Sequence, residues 1–137
     1  MRVSTRSRYG TRMMQDLAEH YDKGPTRLGE IAKRQDISVK YLEQLIIPLK
    51  HSNFIRSVRG PKGGHMLTKP PEKISVGQIV TALEGGTELT GCIENPSECG
   101  RSGNCLTRCI WKEVSKAIYD KLHSISLSTI LEMEKSV

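Results

Sequence analysis

The sequence predicts a mainly α-helical protein: a winged helix-turn-helix with a small β-hairpin as its wing, followed by a long C-terminal helix. Two helical segments separated by a short polar break are followed directly by an alternating segment, a glycine-rich turn and a returning segment. An apolar stripe with helical spacing marks the last third of the chain. The 137 residues, 36% of them hydrophobic, have the size of one ordinary domain that buries its own core.

The first two helices are predicted from their apolar spacing and from the residues that begin and end them. Residues 4–21 form the first helix, which Ser4 or Thr5 can cap and which Gly24-Pro25 ends. Thr26 is predicted to cap a short second helix. The polar segment 34–37 then separates this helix from the third one.

The third helix begins at Ser38 as its cap and contains Pro48 within its apolar pattern, so a bend or a helix end is predicted there. The spacing of the second and third helices suits a helix-turn-helix, whose second helix enters the major groove of DNA. The alternative is an ordinary three-helix core that binds no DNA.

A β-hairpin is predicted directly after the third helix. Residues 54–58 alternate like a strand, and residues 65–67 form the returning strand. The turn between them, residues 59–64, contains three glycines and two cations, Arg59 and Lys62. A hairpin after a helix-turn-helix is the plan of a winged helix, although a solvated hairpin without a ligand is the alternative.

The second half of the chain is predicted to contain three more helices and one long loop. Ser75 and Gln78 form a capping box for a helix that ends near Leu83. Residues 87–104 read as a loop, and a loop of this length in a compact domain is usually functional or disordered. Asn104 is predicted to cap the long helix, and a short last helix starts after Ser126. The apolar stripe of the long helix consists of Ile110, Val114, Ala117, Ile118, Leu122 and Ile125.

Charge divides the chain into two parts. Residues 1–73 contain 15 Lys and Arg against 7 Asp and Glu, a balance of +8, whereas residues 74–137 contain 6 against 8, a balance of −2. A basic module attracts polyanions such as nucleic acid. We therefore predict a DNA-binding domain over residues 1–73 and a second region over residues 74–137.

Several classes of protein are not expected from this sequence. The apolar runs are too short for a membrane span, and the charged N-terminus lacks the apolar region of a secretion signal, so a cytoplasmic protein is expected. The sequence has no nucleophile–base pair, phosphate loop or dinucleotide signature, and its four histidines are scattered, so no enzyme is expected.

The four cysteines lie within an 18-residue window at the spacing C-x6-C-x5-C-x3-C: Cys92, Cys99, Cys105 and Cys109. Clustered cysteines in a reducing compartment indicate metal or redox chemistry rather than a disulfide framework. The short C-x2-C spacing of structural zinc sites is absent, and the longer gaps favour an iron–sulfur cluster over a single metal ion. Cys109 would lie one turn into the long helix, where it is either the fourth ligand or a thiol that only packs there.

The chain resembles the bacterial winged-helix repressors that include the iron–sulfur cluster biogenesis regulator, the nitric-oxide-sensing repressor and the cysteine metabolism repressor. The resemblance covers nearly the whole chain. It is carried by the motifs Ser7-x-Tyr9-Gly10, Ser38-x-x-Tyr41-Leu42-Glu43-Gln44, Arg59-Gly60-x-x-Gly63-Gly64 and Ala82-Leu83-Glu84-Gly85, and by Trp111.

This resemblance implies a symmetric homodimer formed by the long C-terminal helices, which makes residues 74–137 a cluster-binding and dimerisation region. Cys92, Cys99 and Cys105 match the three positions that hold a cluster in cluster-sensing members. Some relatives have a histidine where this chain has Arg108, and arginine cannot bind iron. The fourth ligand is therefore Cys109, a residue from the partner subunit's first helix or a small molecule, and both 2Fe–2S and 4Fe–4S clusters stay open.

The function predicted is that of a dimeric regulator that binds a pseudo-palindromic operator under control of the cluster. A thiol–disulfide switch, or a repressor that responds to a thiol metabolite, is the alternative. The first turns of the third helix are expected to reach base edges or phosphates, Arg59 to enter the minor groove, and the other cations to contact phosphates. The DNA-binding residues expected are Arg2, Arg6, Arg8, Ser38, Lys40, Tyr41, Glu43, Gln44, Arg59, Gly60 and Lys62.

Overall fold

The computed structural model covers residues 1–137 and contains seven α-helices and one two-stranded antiparallel sheet. The mainly helical architecture with a small hairpin confirms the predicted fold class. In chain order the elements are α1 (Thr5–Glu19), α2 (Leu28–Gln35), α3 (Val39–His51), β1 (Ile55–Val58), β2 (Gly64–Leu67), α4 (Val76–Glu84), α5 (Gly91–Glu94), α6 (Leu106–His123) and α7 (Leu127–Lys135). Single turns of 3₁₀-helix occur at Tyr21–Lys23, Pro71–Lys73 and Pro96–Glu98.

Four helices begin at the serine predicted from the sequence. Ser4, Ser38, Ser75 and Ser126 each accept a hydrogen bond from the backbone N–H three residues further on. At α4 the capping box is complete, because the Gln78 side chain also accepts from the Ser75 backbone N–H at 2.9 Å. These caps fix where α1, α3, α4 and α7 start.

The prediction that Thr26 caps the second helix is wrong. Thr26 is buried and pairs with the wing, since its backbone exchanges two hydrogen bonds with His65, at 2.8 and 2.7 Å. The residue before α2 is Arg27, whose side chain makes no cap. Gly64 allows this close approach, because a Cβ there would lie 2.5 Å from the Thr26 carbonyl oxygen. The segment before α2 thus anchors the hairpin to the helical core.

The turn between α2 and α3 contains a left-handed residue, Asp36, with φ 54° and ψ 51°. This conformation turns the chain so that Ile37 is buried in the core before Ser38 starts α3. Helix α3 continues past Pro48 and ends at His51, so Pro48 lies in its last turn. The helix pair and its short turn therefore form as predicted.

Side chains from α1, α2, α3, α4, the hairpin and α7 form one hydrophobic core. The side chains of Met13, Met14, Leu17, Ile31, Leu42, Leu45, Leu49, Ile55, Leu67, Ile74, Ile79, Leu83 and Leu127 are nearly or completely buried there. Gly10 brings α1 and α4 together, because a Cβ at this position would lie 2.3 Å from Leu83 Cδ1. Residues on both sides of the predicted boundary at residues 73 and 74 consequently share one hydrophobic core.

The segment between α4 and α6 contains more structure than the loop predicted over residues 87–104. It forms the one-turn helix α5 and the 3₁₀ turn Pro96–Glu98. The prediction that Asn104 caps the long helix is wrong. Cys105 is the cap residue, and its side chain makes no capping hydrogen bond. Asn104 belongs to the preceding turn, where its N–H donates to the Arg101 carbonyl oxygen at 3.0 Å.

A lipid bilayer is too thick to be spanned by any helix of this protein, because none is both long and apolar enough.

Candidate DNA interface and cysteine segment

The exposed face of α3 carries most of the residues predicted to read DNA. Lys40, Glu43 and Gln44 are exposed to solvent in its first two turns. Ser38 is also exposed, but its Oγ already accepts from the Tyr41 N–H at 3.1 Å. Its hydroxyl proton remains available for a contact with DNA.

Tyr41 differs from its exposed neighbours because its ring packs against Tyr9 of α1. It is half-buried and meets the ring of Tyr9 edge to face, with centroids 5.8 Å apart. Arg8 and Arg12 lie 5.8 and 5.4 Å from the centre of the Tyr9 ring. Tyr41 therefore fixes α3 against α1, next to two of the cations at the start of the chain.

The basic residues near the N-terminus divide into two groups. Arg2 and Arg8 are exposed. Arg6 is also exposed at its tip, but it donates to the carbonyl oxygen of Leu83 at 3.2 Å and so ties α1 to α4.

The structure also shows a cluster that the sequence reasoning missed at the same contact between α1 and α4. The hydroxyls of Ser4 and Ser7 donate to Glu84 Oε1, the latter at 2.6 Å. These two hydrogen bonds lower the pKa of the Glu84 carboxyl. Ser7 and Glu84 belong to two of the sequence motifs that carry the family resemblance, and their joint presence was the signal that could have revealed the contact.

The wing presents its cations at an exposed tip. Arg59, Gly60 and Lys62 are all exposed between β1 and β2. Arg27, which the sequence analysis did not single out, donates to the Pro61 carbonyl oxygen and adds a third cation to this tip. The N-terminal arginines, the α3 face and the wing tip are thus the three basic parts of the candidate DNA interface.

The four cysteines are distributed over the segment that connects α4 to α6. Cys92 lies in α5, Cys99 follows the 3₁₀ turn, Cys105 precedes α6, and Cys109 lies one turn into α6. All four are free thiols, with Cys92 and Cys105 half-buried and the other two exposed. The Thr107 hydroxyl, which lies 3.2 Å from the Cys105 sulfur, and the nearby Arg108 backbone N–H lower the pKa of Cys105, which favours its thiolate form.

Arg108 connects the two ends of this segment. Its Nε donates to the Cys92 carbonyl oxygen at 3.0 Å, and its Nη2 donates to the Ile93 carbonyl oxygen at 3.5 Å. The guanidinium therefore ties the end of α5 that carries Cys92 to the first turn of α6, beside Cys105.

Thiolates are soft ligands that suit an iron–sulfur cluster, and the segment supplies four of them. No group of three or more His, Cys, Asp and Glu side chains is gathered closely enough to hold a single metal ion. The donor set thus fits a cluster in its chemistry, and the segment would have to close around it.

Helix α6 carries an exposed apolar face beside this segment. Leu106, Ile110, Trp111 and Val114 are exposed, and Ala117, Ile118 and Leu122 continue the stripe. Ser115, on the other side, is buried and accepts from the Leu89 N–H at 2.8 Å. One side of α6 thus holds the α4–α6 connection, while Leu106, Ile110, Trp111 and Val114 on its apolar face are exposed in the single chain.

A helix-turn-helix with a basic wing, attached to a cysteine-bearing connection and an uncovered apolar helix, defines a winged-helix transcription regulator. The chain belongs to the Rrf2 family, described as an iron-dependent transcriptional regulator, whose profile matches residues 3–133. It is 45% identical over 131 residues to protein rrf2 of Nitratidesulfovibrio vulgaris, covering 96% of this chain and 87% of that one. It is 37% identical over 135 residues to the HTH-type transcriptional regulator IscR of Sodalis glossinidius, covering 98% and 81%.

Solved structures agree with this assignment. The T. potens IscR structure superimposes with a TM-score of 0.80 at 37% identity, covering 98% of this chain and 88% of that one. CymR, the global cysteine regulator of B. subtilis, superimposes with a TM-score of 0.79 at 32% identity, covering 97% and 98%. The chain is therefore a DNA-binding transcription regulator and not an enzyme, as predicted.

Proposed function

We propose that the protein is a homodimeric repressor or dual regulator whose binding to a pseudo-palindromic operator is controlled by an iron–sulfur cluster. The observation that carries this proposal is the position of the cysteines. Cys92, Cys99 and Cys105 lie on the only connection between α4, which packs in the core of the winged helix, and α6, which bears the uncovered apolar face.

The proposed DNA contacts are those of the three basic parts of the interface. Lys40, Glu43 and Gln44 in α3 lie where a recognition helix meets base edges, and the exposed wing tip lies where an arginine can enter the minor groove. Arg2 and Arg8 are free to contact phosphates. The positive balance of residues 1–73 supports this interface, because phosphate contacts supply most of the affinity for DNA that is independent of sequence.

The proposed dimer would cover the apolar face of α6. The face is continuous from Leu106 to Leu122, and a two-fold axis lets identical stripes pack on each other. Two reading heads related by this axis would match the two halves of a palindromic operator.

The proposed cluster would be held by Cys92, Cys99 and Cys105. An iron–sulfur cluster supplies a centre that is lost or altered by iron shortage, oxidants or nitric oxide. The fourth ligand in this proposal is Cys109, a residue from the partner subunit's first helix or a small molecule, because arginine at position 108 cannot bind iron. Binding the thiols together would stiffen the connection between α4 and α6 and so fix the spacing of the reading heads. A coupling of about 1–3 kcal/mol would change operator affinity roughly 5–150-fold.

A thiol switch is the second candidate, and the exposure of Cys99 and Cys109 favours it. Oxidants reach exposed thiols directly, and a disulfide within the segment would restrain it as a cluster does. CymR of B. subtilis is a cysteine regulator with the same fold.

Anaerobic purification and reconstitution test these proposals. Iron and sulfide are counted in the reconstituted protein, and operator binding is compared between the cluster-loaded and the metal-free form. The same measurements are made on Cys92→Ala, which lacks a proposed ligand, and on Cys109→Ala, which tests the fourth thiol. We expect Cys92→Ala to lose the cluster and its effect on DNA binding, and an unchanged cluster in Cys109→Ala would remove that thiol as a required ligand. A colourless protein whose thiols oxidise to a disulfide would favour the switch. Equal operator affinities of loaded and metal-free protein would reject control by a cluster.

A further inference from the structure

The exposed apolar side chains of the protein fall into three groups, one of which the proposed function leaves unexplained. The groups are the chain ends with Met1, Val3, Met133 and Val137, the α6 face with Leu106, Ile110, Trp111 and Val114, and a pair in α3, Val39 and Ile47. Chain ends commonly expose apolar atoms, and the α6 face has a proposed partner. The α3 pair lies on the face that is expected to enter DNA.

The pair has a regular position on the helix. Val39 is the first residue of α3 and is 41% exposed, and Ile47 is 59% exposed. They stand four residues before and four residues after Glu43, so the three side chains form one stripe along the helix. The buried residues Leu42, Leu45, Ile46 and Leu49 lie on the face of α3 away from Ile47, and Val39 lies at the edge between the buried and the exposed face. The core therefore leaves both apolar side chains partly exposed, Ile47 more than Val39.

The major groove offers one apolar group to such a stripe. Each base pair displays hydrogen-bond donors and acceptors there, and only thymine adds a methyl group, on C5. The exposed neighbours of the stripe, Lys40 and Gln44, are suited to phosphates or to polar base edges.

We propose that Val39 and Ile47 bind thymine methyl groups in the operator, on either side of the position that faces Glu43. They are specificity-determining residues, and Glu43 between them accepts from the N4 amino group of cytosine. The stripe thus recognises a thymine, a cytosine and a second thymine in that order. Val39 and Ile47 contact the two thymine methyl groups, and neither makes a hydrogen bond. This inference rests on the proposed insertion of α3 into the major groove.

The experiment replaces single thymines of the operator by deoxyuridine, which removes only the methyl group. The operator is a DNA fragment that the full-length protein selects from a random pool, and affinity is measured at fixed salt for wild type, Val39→Ala and Ile47→Ala. We expect two sensitive thymines in each half-site. Deoxyuridine at one of these positions in one half-site should weaken wild-type binding about fourfold, as expected for the loss of one buried methyl group. Deoxyuridine at the same position in both half-sites should weaken it about 15-fold.

The variants connect each methyl group to its side chain. Val39→Ala changes both subunits, so it should lower affinity for the unmodified operator about 15-fold. It should be insensitive to deoxyuridine at one of the two positions, and Ile47→Ala should be insensitive at the other. Both positions are exposed, so these variants are expected to fold, and circular dichroism checks this. Met133→Ala, an exposed apolar residue in α7, is the control and should keep the wild-type sensitivity.

The outcomes separate this inference from the proposed function. If the protein selects no DNA, or if Lys40→Ala and Arg59→Ala leave DNA binding intact, the proposed interface itself is wrong. If the interface variants lose binding but no thymine is sensitive to loss of its methyl group, the assignment of Val39 and Ile47 is wrong. Equal sensitivity in wild type and in both alanine variants also overturns it.

Discussion

The Asp16 carboxylate is the most deeply buried charge in the protein, and its partners come from α2. Arg34 donates to it through Nε at 3.0 Å and Nη2 at 2.7 Å, and Gln35 donates at 3.1 Å. Burial raises the pKa of this carboxyl, but the hydrogen bonds and the positive charge of Arg34 outweigh it and hold the pKa below its usual value. The pair therefore joins α1 to α2 and orients the helix before the recognition helix.

Replacing Arg34 by alanine should destabilise the protein, because it leaves a buried charge with only part of its hydrogen bonds. The Asp16 side chain is 0% exposed, while Arg34 is 38% exposed, so we expect a loss near the low end of the usual range, about 3 kcal/mol. Urea unfolding at neutral pH measures it. The control is Lys116→Ala, which removes an ion pair with Asp120 at the surface. The Lys116 side chain is 76% exposed and that of Asp120 is 56% exposed, so this pair should contribute about 0.5 kcal/mol or less to the free energy of unfolding. Similar losses in both variants would contradict the assigned role of Arg34.

The same ion pair predicts a dependence of stability on acid. Because the folded pKa of Asp16 is lowered, its contribution is fully present above the unfolded value near 3.9 and is lost as pH falls through the lower folded value. The wild type should lose this contribution below about pH 4, whereas Arg34→Ala should lose less over the same range. Acid titrations of unfolding free energy in both proteins check the sign.

Gly10 should tolerate no side chain, although it lies inside a helix where alanine is intrinsically favoured. The added Cβ would lie 2.3 Å from Leu83 Cδ1, so the buried Leu83 side chain would have to move and disturb the packing of α1 against α4. We expect Gly10→Ala to lower the unfolding free energy by about 1–3 kcal/mol. Gly29→Ala is the matched control, since nothing lies within 4 Å of a Cβ at that helical position, and it should be neutral or stabilising by up to about 1 kcal/mol. A loss at Gly29 as large as that at Gly10 would refute the packing argument.

At the scale of elements, the sequence predicted the features that depend on neighbouring residues. Four serine caps and the alternation of the hairpin strands were predictable because each interaction spans a few residues. Thr26 and Asn104 were assigned wrongly as caps, because a cap residue competes with other backbone pairing that the local sequence does not reveal. Thr26 pairs with His65 instead, and Asn104 closes the preceding turn.

The candidate site follows the same division. The positions of the basic residues on α3 and the wing tip follow from helix and hairpin geometry. The contact of Ser4 and Ser7 with Glu84, and that of Arg108 with α5, join residues far apart in sequence or across an irregular segment. Such contacts depend on tertiary packing and are not encoded by any periodicity.

Arg108 should hold the cysteine segment together before any cluster is bound. Its hydrogen bonds to the Cys92 and Ile93 carbonyls are side-chain ties between α5 and α6, so Arg108→Ala should let α5 open. We expect the half-buried Cys92 thiol to react with a thiol reagent several-fold faster in metal-free Arg108→Ala than in metal-free wild type. The rate is followed on a variant in which the other three cysteines are serine. Lys116→Ala, on the exposed side of α6, should leave the rate unchanged. An unchanged rate in Arg108→Ala would show that this tie does not order the segment.

At the scale of the whole molecule, the proposed dimer pairs its two basic reading heads through the apolar face of α6. A polar carboxylate within this face should prevent assembly, because it would be buried without a partner. Val114 lies in the middle of the stripe and is exposed in the single chain, so Val114→Asp should leave the monomer folded. Sedimentation should show a monomer at micromolar concentration, while circular dichroism shows unchanged helix content.

Operator binding should fall with the dimer. Two linked heads bind more tightly than one by a factor of about 10²–10⁴ when the geometry allows both to engage, and a monomer loses this gain. Val114→Asp should therefore bind a full operator no better than a half-site, with an affinity reduced by about this factor. Lys116→Asp introduces the same carboxylate two residues away, on the opposite side of α6, and should remain a dimer with nearly normal affinity. If Val114→Asp sediments as a dimer, or if it binds the full operator like wild type, the α6 face is not the surface that pairs the reading heads.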